Sequence, residues 1–385
     1  MSEAAEPTAA APATAASPAD DARFMRMALT LGRRGLGNAW PNPAVGAVLV
    51  KDGVILGRGW TQAGGRPHAE VEALRRARKL APDAVSGATL YVTLEPCSHQ
   101  GKTPPCADAI VKAGIARVVS ALEDPNPEVA GKGHEKLRAK GIAVESGLFA
   151  DEARRDHAGH IARITQGRPH VLLKLAISAD GKAGLPARKP VALSGEEARN
   201  RVFQLRAQSD AILVGIGTVL SDNPHLTSRL PGLMERSPVR VVLDANLRVP
   251  LSLAVVSTVR ETPTWVMTSR KPSAIAEEIL QQKGCKVFRV GDSAGKLDLG
   301  EVLKLLAGEG VTRLMVEGGP TVAASFVAAD LVDEAVLVRS DKTIGEGIAP
   351  LEGMSLDALT RHLQAAGSER LGADTLETYA RANAQ

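Results

Sequence analysis

Hydrophobic positions along this chain switch repeatedly between helical and strand spacing. From Asp21 the apolar residues Phe24, Met25, Ala28 and Leu31 share one helical face, and Gly32, Gly35 and Gly37 stop it. Ala44 to Val50 reads as a strand, Lys51-Asp52-Gly53 is a hairpin signal, and Val54 to Leu56 returns as the partner strand. After Gly64-Gly65, Pro67 stands where a helix can begin, with Val71, Leu74 and Leu80 on its apolar side. A strand at Ala88 to Leu94, a helix opened by Cys106 and a strand at Arg117 to Leu122 follow. Helical patterns at Gly133 to Lys140 and Asp151 to Gln166 flank a short strand at Ile142 to Glu145.

Gly167-Arg168-Pro169 breaks the pattern, and a domain boundary is expected there. Beyond it, apolar runs at His170 to Ser178, Ala211 to Val214, Val239 to Leu243, Thr264 to Met267, Lys286 to Arg289 and Arg313 to Val316 alternate with helical segments, which predicts a second α/β domain. Residues 1–20, rich in Ala, Pro, Thr, Ser and acid, read as a disordered tail. The expected division is therefore a tail to residue 20, one domain over 21–166 and another over 167–385.

The 385 residues carry 44% hydrophobic side chains, enough for packed cores, but only 3% aromatics. Stacking platforms for single-stranded nucleic acid are scarce, and a net charge of +4 with no dominant basic run makes no nucleic-acid groove. Small anionic substrates fit that balance. Three cysteines do not build a disulfide framework, and no apolar span reaches the roughly twenty residues that cross a bilayer. A soluble, cytoplasmic protein that contacts no membrane is expected.

The chemistry concentrates in Pro67-His68-Ala69-Glu70 and Glu95-Pro96-Cys97, with Cys106 following Thr103-Pro104-Pro105. His68, Cys97 and Cys106 supply three zinc ligands. A structural zinc takes four protein ligands, whereas a catalytic one keeps a position for water and lowers its pKa to about 7. Glu70, two residues beyond His68, can aim its carboxylate at that water and is the candidate proton shuttle. The first turns of two helices bring these groups to one side of the sheet, where helix N-termini also favour thiolate. Free cysteines more often simply pack in a core, but the HxE and PC pattern matches the signature of zinc nucleobase deaminases. That signature closes with CxxC, whereas eight residues separate Cys97 from Cys106 here.

In the second domain an apolar strand turns through Glu317-Gly318-Gly319-Pro320 into a helix, and Gly215-Ile216-Gly217-Thr218 follows another strand. Backbone N–H groups at such turns can cradle phosphate, although glycine is also the ordinary residue for a tight connection.

Pro41-Asn42-Pro43, PHAE, the stretch from Glu95 to Cys106, Glu123-Asp124-Pro125-Asn126-Pro127 and Val129-Ala130-Gly131-Lys132-Gly133 together resemble the RibD family of riboflavin biosynthesis. The likeness spans Asp21 to Val338, and CSHQGKTPPC is its most specific part. It implies an N-terminal cytidine-deaminase-like αβα domain and a C-terminal dihydrofolate-reductase-like α/β domain. The implied activities are zinc-dependent hydrolytic deamination of a phosphorylated pyrimidine, a diaminohydroxyphosphoribosylaminopyrimidine, and NADPH-dependent reduction of the product's ribosyl group to ribityl. A homo-oligomer is expected.

By this resemblance Asn42, His99, Lys102, Asp124 and Asn126 hold the deaminase substrate. Ala176, Thr218, Asp222 and the turn Gly319, Pro320, Thr321, Val322, Ala323, Ala324 and Ser325 line NADPH. Lys174, Arg206, Leu226, Arg229 and Glu317 face the reductase substrate, with the arginines suited to its phosphate. Two stretches leave the family pattern, Ala183 to Ala192 and Ser340 to Gly345. The first keeps open an alternative, a deaminase whose C-terminal domain binds nucleotide or supports an oligomer without reducing anything.

Overall fold

The computed structural model describes residues 17–101, 103–127, 129–186 and 191–382. The chain divides into two compact units between Gln166 and Gly167. The first unit runs α1 (Pro18–Gly32), β1 (Gly46–Lys51), β2 (Val54–Trp60), α2 (Ala69–Leu80), β3 (Thr89–Val92), α3 (Cys106–Lys112), β4 (Arg117–Ser120), α4 (Lys132–Arg138), β5 (Ala143–Ser146), α5 (Ala150–Asp156) and α6 (Ala158–Gln166). Its sheet has the order β2-β1-β3-β4-β5; β1 is antiparallel to β2 and β3, and β3, β4 and β5 are parallel.

Alternation along the strands sorts side chains to two faces. Ala47, Leu49, Leu90, Val92 and Val118 pack against Ala73 and Leu74 of α2, Ile110 of α3 and Leu137 of α4. Val48, Val50, Tyr91 and Val119 pack against Phe24, Met25 and Ala28 of α1 and Ala153 of α5. Helices therefore cover both faces. In β2, Gly59 lets α2 approach closely, since a Cβ there would lie 2.1 Å from the Ala69 carbonyl oxygen. That contact seats the first turn of α2, which carries Glu70, directly on the sheet.

Several boundaries differ from the sequence reading; α2 begins at Ala69, with His68 as its N-cap, and not at Pro67. Helix α1 starts at Pro18, inside the stretch assigned to the tail, because the Ser17 hydroxyl accepts the Asp20 amide at 3.2 Å and Asp20 and Asp21 suit the positive end of a helix. The single helix expected over 151–166 breaks at buried His157, whose Nε2 turns to the Thr93 hydroxyl at 3.1 Å.

The second unit holds β6 (His170–Ile177), α7 (Glu196–Ala207), β7 (Ala211–Gly215), α8 (Ile216–Asp222), β8 (Val239–Leu243), α9 (Ala254–Ser257), β9 (Thr264–Thr268), α10 (Ala274–Lys283), β10 (Lys286–Arg289), a small hairpin β11 (Asp292–Ser293) and β12 (Lys296–Leu297), α11 (Leu299–Gly308), β13 (Arg313–Val316), α12 (Pro320–Ala328), β14 (Glu334–Arg339), α13 (Asp357–Thr360), β15 (Gln364–Leu371) and β16 (Asp374–Ala380). The main sheet has the order β10-β9-β8-β7-β13-β6-β14-β16-β15, parallel from β10 to β14 and antiparallel thereafter. The chain leaves β6 for β7, winds outward to β10, then returns to place β13 between β7 and β6. Strand order reverses there, and open α/β sheets bind ligands beyond the carboxyl ends of strands at such a switch. No helix among the described residues is long and apolar enough to cross a membrane.

Candidate functional site

His68 is the N-cap of α2, Cys97 lies beyond the end of β3, and Cys106 is the first residue of α3. Their donor atoms all come within 4.8 Å of one another. His68 Nδ1 is 3.2 Å from Cys106 Sγ and 3.7 Å from Cys97 Sγ. A tetrahedral zinc with ordinary bond lengths needs N-to-S separations of about 3.6 Å, so this donor set fits zinc in spacing and in chemistry. The first turn of α3 also serves Cys97: the Cys106 amide donates to its sulfur at 3.3 Å.

Electrostatics agree. A hydrogen bond from Cys106 holds the Cys97 thiol at about 4 against the effect of burial, with His68 and the Cys106 amide helping. The same bond and burial push Cys106 well above the ordinary thiol range. Negative charge collects on Cys97, and a divalent cation would displace the proton from its neighbour. Glu70 is 3% exposed and stands outside the ligand set. Burial raises its carboxyl, and the Cys97 charge raises it further while His68 opposes.

The remaining deaminase residues take different positions. Asn42 Nδ2 meets the Gly65 carbonyl at 2.9 Å and His68 Nε2 at 3.2 Å, so it touches the ring nitrogen opposite the ligand cluster. His99 is exposed on the loop between the cysteines, and Lys102 lies outside the described residues. Arg66 donates to the Thr103 hydroxyl of that loop. Asp124 Oδ1 accepts the Asn126 amide at 2.9 Å and faces His160 Nε2 at 3.6 Å. The sequence reading missed His160, which has no neighbouring motif to mark it.

In the second unit a cavity of about 220 Å³ opens at the switch point. Lys174, Leu175 and Ala176 of β6, Gly217, Thr218, Ser221 and Asp222 after β7, and Glu317, Gly318, Gly319 and Pro320 after β13 line it. Glu317 is held between two cations: Lys174 Nζ at 3.3 Å, and Arg206 through Nε and Nη2 at 3.0 Å each. Burial alone would raise its carboxyl, but Lys174 and Arg206 overcome that and hold it at about 2. At the glycine turn the Gly319 amide donates to the Thr218 hydroxyl at 3.1 Å, which ties the N-terminus of α12 to the start of α8, and a Cβ on Gly318 would strike Val322, so the turn packs tightly.

Several residues expected here do not reach the cavity. Val322, Ala323, Ala324 and Ser325 do not line it, since α12 has already turned inward: Ala323 is fully buried and Ser325 bonds back to the Thr321 carbonyl. The Thr321 hydroxyl is taken by Glu352. Leu226 is 3% exposed, and its side chain packs in the core with Ile216 and Val219. Arg206 directs its fork at Glu317 and the Thr227 carbonyl, whereas Arg229 is exposed beside Phe203.

The two stretches that leave the family pattern lie against each other. The Ala183 amide donates to the Ile348 carbonyl and the Ile348 amide to Gly184, both at 2.9 Å, and Lys342 Nζ reaches the Ala192 carbonyl at 2.7 Å. Asp180 receives the amides of Ile344 and Gly345 at 3.1 and 2.7 Å. Ala183, Gly184, Val191, Ile348 and Pro350 thereby wall the same cavity.

Fold and sites together define a zinc deaminase joined to a reductase domain. Residues 18–122 match the cytidine and deoxycytidylate deaminase zinc-binding region, and 169–376 match the RibD C-terminal domain. Riboflavin biosynthesis protein RibD of Aquifex aeolicus is 44% identical over 86% of this chain and 89% of its own. Acinetobacter baumannii RibD superposes with a TM-score of 0.83 at 33% identity, covering 95% of this chain and 99% of its own. A Thermotoga maritima diaminohydroxyphosphoribosylaminopyrimidine deaminase/5-amino-6-(5-phosphoribosylamino)uracil reductase gives 0.82 at 34% identity over 94% and 99%. The chain belongs to the RibD family of bifunctional riboflavin biosynthesis enzymes. Its first unit has the cytidine-deaminase-like fold and its second the dihydrofolate-reductase-like fold.

Proposed function

We propose that this enzyme deaminates a diaminohydroxyphosphoribosylaminopyrimidine in its first unit and reduces the resulting phosphoribosylaminouracil with NADPH in its second, in the cytoplasm, where the free thiols Cys97, Cys106 and Cys285 stay reduced. The observation that carries the reading is a three-donor cluster with a buried carboxyl, Glu70, beside it and outside it. Zinc held by His68, Cys97 and Cys106 supplies Lewis-acid activation of water at neutral pH. Glu70 takes the proton of the attacking water and returns one to the departing ammonia, a task its raised carboxyl suits. Asn42, beside the His68 ring, and the Asp124–Asn126 turn meet the substrate's polar edge. His99 and Lys102, on the loop that lengthens the cysteine spacing, face its phosphate.

In the second unit NADPH supplies the hydride. The turn from Gly319 into α12 lines the cofactor, and Ala176, Thr218 and Asp222 flank it. Lys174, within β6 and just beyond the end of neighbouring β13, orients the substrate, Glu317 fixes the Lys174 ammonium and Arg206 fixes Glu317. Arg229 is the cation left for the substrate phosphate. The test is to give the purified, zinc-loaded chain the deaminated intermediate with NADPH and follow NADPH oxidation. Oxidation coupled to formation of the ribityl product is expected; deamination without any oxidation would overturn the reductase half and favour a C-terminal domain that only binds nucleotide.

A further inference from the structure

Glu95 stands two residues before Cys97, is 4% exposed and takes no part in the ligand triad. Its carboxylate gathers four backbone N–H groups from one loop and the helix that loop opens. Oε2 accepts the amides of Asp124 at 3.1 Å and Gly131 at 3.0 Å; Oε1 accepts those of Gly133 at 2.7 Å and His134 at 3.2 Å. The Glu95 amide in turn donates to the Leu122 carbonyl at 2.8 Å. The loop also presses on the peptide that leads to Cys97, because a Cβ on Gly133 would fall 2.1 Å from the Pro96 carbonyl oxygen.

Glu95, exposed Glu123 and buried His134 also bring donor atoms within 4.8 Å of one another. Each Glu95 oxygen already accepts two N–H bonds, which occupy its in-plane lone pairs, and His134 Nε2 is engaged by the Ser120 hydroxyl at 2.9 Å. The cluster is therefore a clamp and not a second metal centre. What it clamps begins with Asp124, whose carboxylate then takes the Asn126 amide.

We propose that Glu95 is a positioning residue of the deaminase site: its carboxylate holds the Asp124–Asn126 turn in register with Cys97, so that the groups reading the substrate and a sulfur holding the metal keep a fixed separation. This rests on the reading that the turn meets the substrate. Among variants, Glu95→Gln preserves shape but replaces one oxygen by a donor, and two of the four N–H groups lose their acceptor. In the full-length zinc-loaded chain it is expected to keep a single zinc and to raise the deaminase KM about tenfold, more than it lowers kcat, as loss of substrate alignment should. The reductase constants should not move.

Amide hydrogen exchange supplies the second measurement. The amides of residues 124, 131, 133 and 134 should exchange slowly in the wild type and quickly in the variant. Exchange as fast as in open loops in the wild type would overturn the clamp even if Glu95→Gln does not fold. An unchanged KM, loss of zinc with the reductase intact, or a second zinc bound by the wild type and missing from the variant would each overturn it too. Asn126→Ala measured in parallel separates the two readings: a KM raised by Glu95→Gln but untouched by Asn126→Ala keeps the clamp and removes Asn126 from substrate recognition.

Discussion

Glu70 and Glu317 are both buried carboxyls, and their neighbours push them in opposite directions. Glu70 is raised by burial and by the Cys97 thiolate, so it can carry a proton; Glu317 is pinned as an anion by Lys174 and Arg206. Glu70→Gln should keep zinc and fold while lowering deaminase kcat by at least about a hundredfold, with reductase turnover unchanged, as parallel assays of both reactions would read. Glu317→Gln leaves Lys174 and Arg206 facing each other without their anion and should destabilise the second unit on the order of 3 kcal/mol, seen as a lower denaturant midpoint together with lost reductase activity. The acid response follows in sign. Burial first depresses His170 to about 4 from 6.5, so its contribution is complete above 6.5 and lost as pH falls through 4. Glu317, at about 2 against 4.5, contributes fully above 4.5 and loses that as pH falls toward 2. Thermal melts across this range should show the second unit weakening below about pH 6.5, and His170→Gln should flatten the upper part of that fall.

At the scale of elements, α2 delivers His68 and Glu70, and Gly59 sets how closely α2 sits on the sheet. Gly59→Ala drives a methyl toward the Ala69 carbonyl and should cost about 1–3 kcal/mol of stability and weaken zinc retention, measurable by chelator competition. Much of this was legible beforehand. The apolar runs that became β1, β3, β4, β6, β7, β8 and β9 alternate or stay apolar because one or both faces are covered; the helix start at Cys106 was legible, and the one expected at Pro67 falls two residues later, at Ala69. The antiparallel extension was not read: β15, Gln364–Leu371, is exposed along almost its whole length and so carries no hydrophobic period to find. Long-range polar contacts were equally silent. Glu95 was quoted as part of a motif, yet nothing in EPC says that its carboxylate reaches amides some thirty to forty residues away. Nor does the turn after β13 reveal where α12 packs inward, so that Val322 to Ser325, expected at the cofactor, do not line the cavity.

For the whole molecule, each unit carries its own core and its own chemistry, so metal and cofactor should act separately. Removing zinc with a chelator is expected to abolish deamination and lower the unfolding temperature of the first unit only, while NADPH oxidation with supplied intermediate continues; calorimetry and the two assays check this. Loss of both activities together would show that the second unit leans on the first. The Gly184–Ile348 bridge has a consequence of another kind. Residues 183–184 and Ile348 sit far apart along the chain, but each completes the other's backbone hydrogen bonds, and the Lys342 ammonium reaches the Ala192 carbonyl beside them. The cleft wall is therefore built jointly by two distant parts of the chain, and neither closes it alone. Grafting a relative's version of the first stretch into this chain should disturb the cleft wall wherever its length or side chains do not suit Ile348 and Pro350, whereas grafting both parts should carry the wall across intact.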